Sequence, residues 1–214
     1  GFWYSDSYDA LWRDEQRPSQ RGVDRGEAAS LRLLMLIEKL VHSLQLPEGV
    51  SVDSSSPEVK VTGPRGELTR HFENAAINFE QKDGEVKIIG KKLRRKDKAL
   101  IGTWKAHLAN MIKGVNAGFK YEMKIVFAHF PMKVATKGNT ITIDNFLGEK
   151  ATRTAAIADG VEVKVKGDIV TIEGNNVEHV GQTAANLEKA TVVKGRDIRV
   201  FQDGVYTISK GVAQ

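Results

Sequence analysis

Three kinds of side chain in this 214-residue chain could act on a ligand: five histidines, the scattered carboxylates, and two dense runs of lysine and arginine. The histidines are His42, His71, His107, His129 and His179. No two stand at i, i+4 spacing, and none belongs to a His-Glu-x-x-His pattern that would set two imidazoles around zinc. Cysteine is absent, which removes disulfides, thiolate metal sites and cysteine nucleophiles and suits a reducing cytosol. No Gly-x-Ser-x-Gly elbow presents a serine. The stretch from Gly84 to Lys91 has five residues between its glycines where a phosphate loop has four. Lys92 stands where Ser or Thr would bind magnesium, so the stretch reads as a strand end. These patterns predict no catalytic residue, no metal and no cofactor.

The cations are better candidates. One run is Lys91, Lys92, Arg94, Arg95, Lys96 and Lys98, interrupted by Asp97; the other is Lys189, Lys194, Arg196 and Arg199, interrupted by Asp197. Lysine and arginine neutralise phosphates and release counterions, so such runs fit a nucleic-acid backbone. The bland reading is a solvated face. The net charge of +5 decides weakly for polyanions, and its distribution is uneven: +5 over residues 35–124 and +1 over 125–214. Gln182, Thr183, Asn186 and Lys189 would add donors along one helix, or simply form its wet side.

The elements that carry these residues occur twice. Gly66 and Gly148 are 82 residues apart, Gly84 and Gly167 are 83, and Gly90 and Gly174 are 84. That period is too long for a solenoid unit and fits a duplicated small domain. In the first copy, Val59–Thr62 and Glu67–Phe72 flank a Gly-Pro-Arg-Gly turn, and a second hairpin turns at Lys82-Asp83-Gly84. Asp97 is the expected N-cap of a helix carrying Leu100, Ile101, Trp104, Leu108, Met111 and Ile112, with Gly114 just past its end. In the second copy, Ile141–Ile143 turns at Asn145–Gly148 into a return strand to about Ala156. Val161–Val165 pairs with Ile169–Glu173, and Asn176 caps a helix bearing Val177, Val180, Ala184 and Leu187. Ile198–Phe201 is read as a closing strand, followed after Gln202-Asp203-Gly204 by Val205–Ile208. Gly102 and Gly181 lie at matching helix positions, which predicts a helix–sheet approach too close for a side chain there. The fold class expected is α+β: two tandem duplicated domains, each an antiparallel sheet with one helix packed on it.

Ahead of the repeats, residues 1–34 mix aromatics, arginine and acids without a period and are expected to be a disordered or loosely attached extension. Two alternatives stay open: an arm that orders on a partner, or a stretch outside the true reading frame start, since Met35 follows it. Leu33, Leu36, Ile37, Leu40, Val41 and Leu44 fit a helical stripe, so Leu31–Leu44 is expected to be helical. The expected domains are 35–124 and 125–214. No stretch approaches the roughly 20 apolar residues of a membrane span, and no signal peptide is expected.

Several ordered motifs resemble the large-subunit ribosomal protein six family in its archaeal and eukaryotic-like branch. They are Pro47-Glu48-Gly49-Val50, Gly63–Leu68, Asn110–Val115 with Gly118-Phe119, Val180–Asn186 and Arg199–Gly204. The likeness covers about residues 36–210. It implies a non-enzymatic, cytoplasmic component of the large ribosomal subunit that binds large-subunit rRNA chiefly through its second domain. It also implies a place near the base of the acidic stalk and the sarcin–ricin loop, beside other subunit proteins and where translational GTPases dock. Carried onto this chain, the rRNA contacts are Lys164, Lys166, Gln182, Asn186, Lys189, Lys194, Arg196 and Arg199. Lys91, Lys92, Arg94, Arg95 and Lys96 become an auxiliary patch for RNA or a neighbouring protein. Two rivals make different demands. A protein–protein adaptor needs an exposed apolar sheet edge and salt-insensitive binding. An enzyme needs a deep pocket between the domains with convergent titratable groups.

Overall fold

A computed structural model describes residues 37–213 apart from Ser56, Asp83 and His129, within one compact unit that starts at Ile37. The extension expected over 1–34 lies outside the described residues. The first half contains β1 (Ile37–Gln45), β2 (Ser51–Ser55), β3 (Glu58–Gly63), β4 (Gly66–His71), β5 (Ile77–Lys82), β6 (Glu85–Leu93) and α1 (Arg95–Asn116). The second contains β7 (Phe119–Val126), β8 (Lys133–Lys137), β9 (Thr140–Asp144), β10 (Arg153–Ala156), β11 (Val161–Lys166), β12 (Ile169–Gly174), α2 (Val177–Ala190) and β13 (Gly204–Val212). The α+β class and the duplication are as expected. The strands of each half divide into two antiparallel sheets, β1-β6-β5 with β2-β3-β4, and β11-β12-β7-β13 with β8-β9-β10.

Strand order shows where the halves meet. β1 and β7 each lie beside the second strand of a hairpin, β6 or β12, so they are equivalent. Both the pairing and the 82-residue spacing of their first residues place β7 in the second half. The expected cut between residues 124 and 125 therefore falls inside a strand, and the change of half comes at about Ala117-Gly118.

Each half has its own core. Alternation buries Val59 and Val61 on β3 and Val86 and Ile88 on β6 beneath Ile101, Trp104, Leu108 and Val115 of α1. The second core repeats the plan, with Val170 and Ile172 of β12 beneath Val180, Ala184 and Leu187 of α2. Three local expectations fail. Residues 37–45 are a strand, not a helix, because pairing with β6 runs unbroken from Lys39 to Gln45 and only alternate residues face inward. Leu40 and Leu44 satisfy a period of two as well as a helical stripe, whereas Val41 is exposed. The helix of the first half begins one turn earlier than expected: Asp97 sits at its third position, where Oδ2 accepts the Arg94 backbone N–H at 2.9 Å. Residues 198–201 form no strand; Ile198 and Val200 are exposed in the segment before β13.

The glycines also act in other places than expected. Gly102 and Gly181 face open space. The tight helix–sheet approach is on the sheet side, where a Cβ on Gly90 would lie 2.6 Å from Ile101 Cδ1 and one on Gly174 2.9 Å from Val180 Cγ2. Gly114 lies inside α1, not beyond it, and a Cβ there would come 2.0 Å from the carbonyl oxygen of Asn175. Gly118, with φ +80°, makes the left-handed turn after the helix.

Candidate nucleic-acid interface

The eight residues expected to face RNA fall into two groups. Lys164 and Lys166 are exposed on β11, on the sheet face turned away from α2. Register aligns Lys166 with Ile169, Lys124 and Tyr206 in one row across the four strands. Lys164 is paired with Glu162 at 3.1 Å, and Lys120 with Glu122 at 2.9 Å, so this face is partly self-neutralised away from the Lys166 end.

The second group follows the C-terminal half of α2 and the segment after it. Lys189, Lys194 and Arg199 are exposed. Asn186 is not a free donor: its Nδ2 donates to the Ala156 carbonyl at 3.0 Å and its Oδ1 accepts from Gln182 Nε2 at 2.8 Å. That pair ties the helix to β10. Arg196 is likewise anchored, its guanidinium 4.8 Å from the Phe201 ring centroid and its Nη2 donating to the Leu147 carbonyl at 3.4 Å. Leu147 itself holds φ +50°, a conformation non-glycine residues rarely adopt.

One further arginine makes this arrangement rigid, and no local pattern announced it. Arg153 on β10 grips Glu149 with two hydrogen bonds, 2.9 and 2.7 Å, and donates Nη1 to the carbonyls of Ala190 and Val192. Its guanidinium lies 4.3 Å from the Phe146 ring centroid. It thus satisfies carbonyls at the end of α2 and fixes the start of the cationic segment. The hydrogen bonds from Arg153 hold the Glu149 carboxyl below its ordinary range.

The auxiliary group is a separate surface. Lys91 is exposed on β6, Lys92 is on the same strand, and Arg94, Arg95 and Lys96 are exposed at the start of α1. The other end of α1 abuts the second half through Gly114. At about 1.5 Å per residue, Arg95 stands about 30 Å along the helix from Gly114 and about 18 Å from His107.

The junction is polar. Arg70 Nη1 donates to Glu178 Oε1 at 2.6 Å, and His107 Nδ1 lies 3.3 Å from the same oxygen. Arg65 Nη1 donates to the Ala117 carbonyl at 2.7 Å, and Asn175 Nδ2 donates to the Arg65 carbonyl at 2.8 Å. His107 is therefore an interface residue. The cavity beside Arg70, His107 and Glu178 is about 20 Å³, room for one water, while Arg65 borders a second, polar groove of about 440 Å³ lined by Lys120, Glu122, Glu173 and Ser209. Glu178 is held below the usual carboxylate range, first by the hydrogen bond from Arg70 and then by the nearby positive charge. A depressed carboxyl stabilises the fold above its unfolded pKa, and that contribution disappears as pH falls through the folded value. Glu178→Gln is expected to cost about 0.5–1 kcal/mol at pH 7, a size set by solvent screening of a half-exposed pair. The difference should be full above the ordinary glutamate pKa and fade as pH falls below it through the lower folded value, measured by urea unfolding across pH.

Among the described residues no helix is long and apolar enough to cross a membrane, and no three His, Asp or Glu side chains are grouped to hold a metal ion. A family model for Ribosomal protein L6 matches residues 46–118 and 130–204. Each matched segment begins just after an equivalent strand, β1 or β7. The chain is 54% identical over 169 residues to the large ribosomal subunit protein uL6 of Methanobrevibacter smithii, covering 79% of this chain and 95% of that one. The uL6 proteins of Methanococcus vannielii and Methanosarcina mazei are 47% and 43% identical over 169 and 175 residues, covering 93% and 99% of those proteins and 79% and 82% of this chain.

Proposed function

Because the chain belongs to the ribosomal protein L6 family, we propose that it is a structural component of the large ribosomal subunit in the cytoplasm and binds large-subunit rRNA, chiefly through its second half. The observation that carries this reading is the exposed cationic segment after α2, held in one shape by Arg153, Arg196 and the Gln182–Asn186 pair. Lys189, Lys194 and Arg199 grip phosphates, while the braced backbone beneath them supplies shape. Lys164 and Lys166 extend the cationic surface along β11. The patch at Lys91, Lys92, Arg94, Arg95 and Lys96, at the far end of α1 from Gly114, reaches a second RNA element or an acidic neighbour. We place the protein near the stalk base and the sarcin–ricin loop, with translational GTPases passing close by.

The chain acts by binding, without catalysis. Its affinity for a large-subunit rRNA transcript is expected to fall steeply as salt rises. Replacing Lys189, Lys194 and Arg199 together with alanine is expected to flatten the plot of log affinity against log salt by about two to three units, near 0.9 for each duplex phosphate no longer neutralised. A filter-binding titration from low to high salt measures it. Salt-independent binding, or a triple variant with the native slope, would overturn the mechanism.

A further inference from the structure

Beside the cationic segment is a cleft of about 610 Å³ between the end of α2 and β13. Its walls include Ala185, Val192, Val193, Ile198, Val205 and Tyr206. Three of these are open to solvent: Ile198 is 69% exposed, Tyr206 49% and Val192 48%. The volume falls in the range of about 300–1,000 Å³ typical of small-molecule clefts, more than one planar base requires.

The cleft is built in advance. Glu188 on α2 accepts from both the backbone N–H and the hydroxyl of Thr207 on β13, at 3.2 and 2.7 Å. Thr191 Oγ1 accepts the Val205 N–H at 3.1 Å. The Tyr206 hydroxyl donates to the Gln202 carbonyl at 3.1 Å, which holds the ring at the rim. Little ordering remains to be done when a ligand enters.

Charge identifies the ligand. Lys189 lines the cleft, and Lys194, Arg196 and Arg199 are exposed on the segment that carries Val193 and Ile198 of its wall, whereas the two acids nearby, Glu188 and Asp197, are both hydrogen-bonded. Glu188 is engaged by Thr207, and Asp197 Oδ1 accepts the Arg199 N–H at 2.9 Å. An apolar slot with an aromatic edge and cations beside it matches one nucleotide: a base has a flat π-face, and its own backbone supplies the flanking negative charge. An apolar protein side chain would fill the slot and leave the cations without a counterpart.

We propose that this cleft receives one unstacked base of the bound RNA, with Lys189 and Lys194 holding the phosphates on either side. This rests on the rRNA-binding reading and names how part of that surface works. The test uses the full chain and a large-subunit rRNA transcript titrated at several salt concentrations. Val192→Ala with Ile198→Ala alters only exposed side chains, so the fold is retained. It is expected to weaken binding about tenfold at every salt without changing the slope. Lys189→Ala with Lys194→Ala is expected to lower the slope instead. Tyr206→Trp should show fluorescence quenching when the transcript is added. If Val192→Ala/Ile198→Ala binds the transcript like the parent, the base-binding cleft is refuted while the salt slope still stands for the cationic surface. If that variant binds naked rRNA normally but fails to enter large subunits, the cleft takes a protein side chain and the proposal is again wrong. Loss of salt dependence in the unaltered chain would sink the rRNA reading itself.

Discussion

Gly114→Ala is expected to destabilise the protein by about 2 kcal/mol, against the normal preference of helices for alanine. An interior helical glycine costs about 1 kcal/mol relative to alanine, so the substitution should help on local grounds. Here the new Cβ would stand 2.0 Å from the Asn175 carbonyl oxygen and 3.2 Å from the Phe119 ring. The first obstacle is backbone, which no rotamer change can move. The junction must open, and overpacking of this kind costs about 1–3 kcal/mol and sometimes more. Gly102→Ala is the internal control. It lies in the same helix with nothing near its Cβ, and it should raise stability by up to about 1 kcal/mol. Urea unfolding of the two variants should therefore shift in opposite directions. Equal shifts would mean that α1 and the Gly174-Asn175 turn do not meet as closely as this.

Trp104→Ala is expected to cost about 3–5 kcal/mol, the usual range for removing a buried indole. Trp104 is 6% exposed and lies between two phenylalanines. Its ring stacks on Phe79 at 5.5 Å with a 12° interplanar angle and meets Phe72 at 5.1 Å, tilted by 58°. The loss falls within the first core, since no residue of the second core packs with this cluster. With native stabilities of roughly 5–15 kcal/mol, one such loss removes a large share of the total. Thermal unfolding followed by near-ultraviolet circular dichroism checks it. A loss under 1 kcal/mol would mean that the aromatic cluster is not what holds α1 to its sheets.

Much of the fold is legible in the sequence because its signals are local and repeated. The hairpins at Gly63–Gly66 and Lys166–Asp168 carry their own turn residues, and Asn176 caps α2 by accepting the Glu178 N–H at 3.0 Å. The duplicated glycines announce two equivalent units. What cannot be read depends on tertiary partners. β1 looks like a helix in sequence because Leu40 and Leu44 fit either period, and only pairing with β6 selects the strand. Gly102 and Gly181 match in sequence yet pack against nothing, while the glycines that let each helix sit close to its sheet are Gly90 and Gly174. In the candidate interface, exposure of Lys189, Lys194 and Arg199 follows from their charge, since unpaired cations are almost never buried. The anchoring of Arg196 and Asn186 does not, because their acceptors lie 49 and 30 residues away. Arg153 is invisible for the same reason. It touches Val192 across 39 residues, and an isolated arginine in a strand looks like any solvated cation.

The junction has a consequence for how the molecule is made. Glu178 lies 108 residues after Arg70, and Asn175 lies 110 after Arg65. Domains tend to fold in order as a chain is synthesised. The amino-terminal core can thus be complete while its orientation is still undetermined, because the residues that aim it have not yet been translated. A nascent chain stalled before Asn175 carries a folded but unaimed head. The rigid shape that RNA meets comes into being only in the closing moments of synthesis.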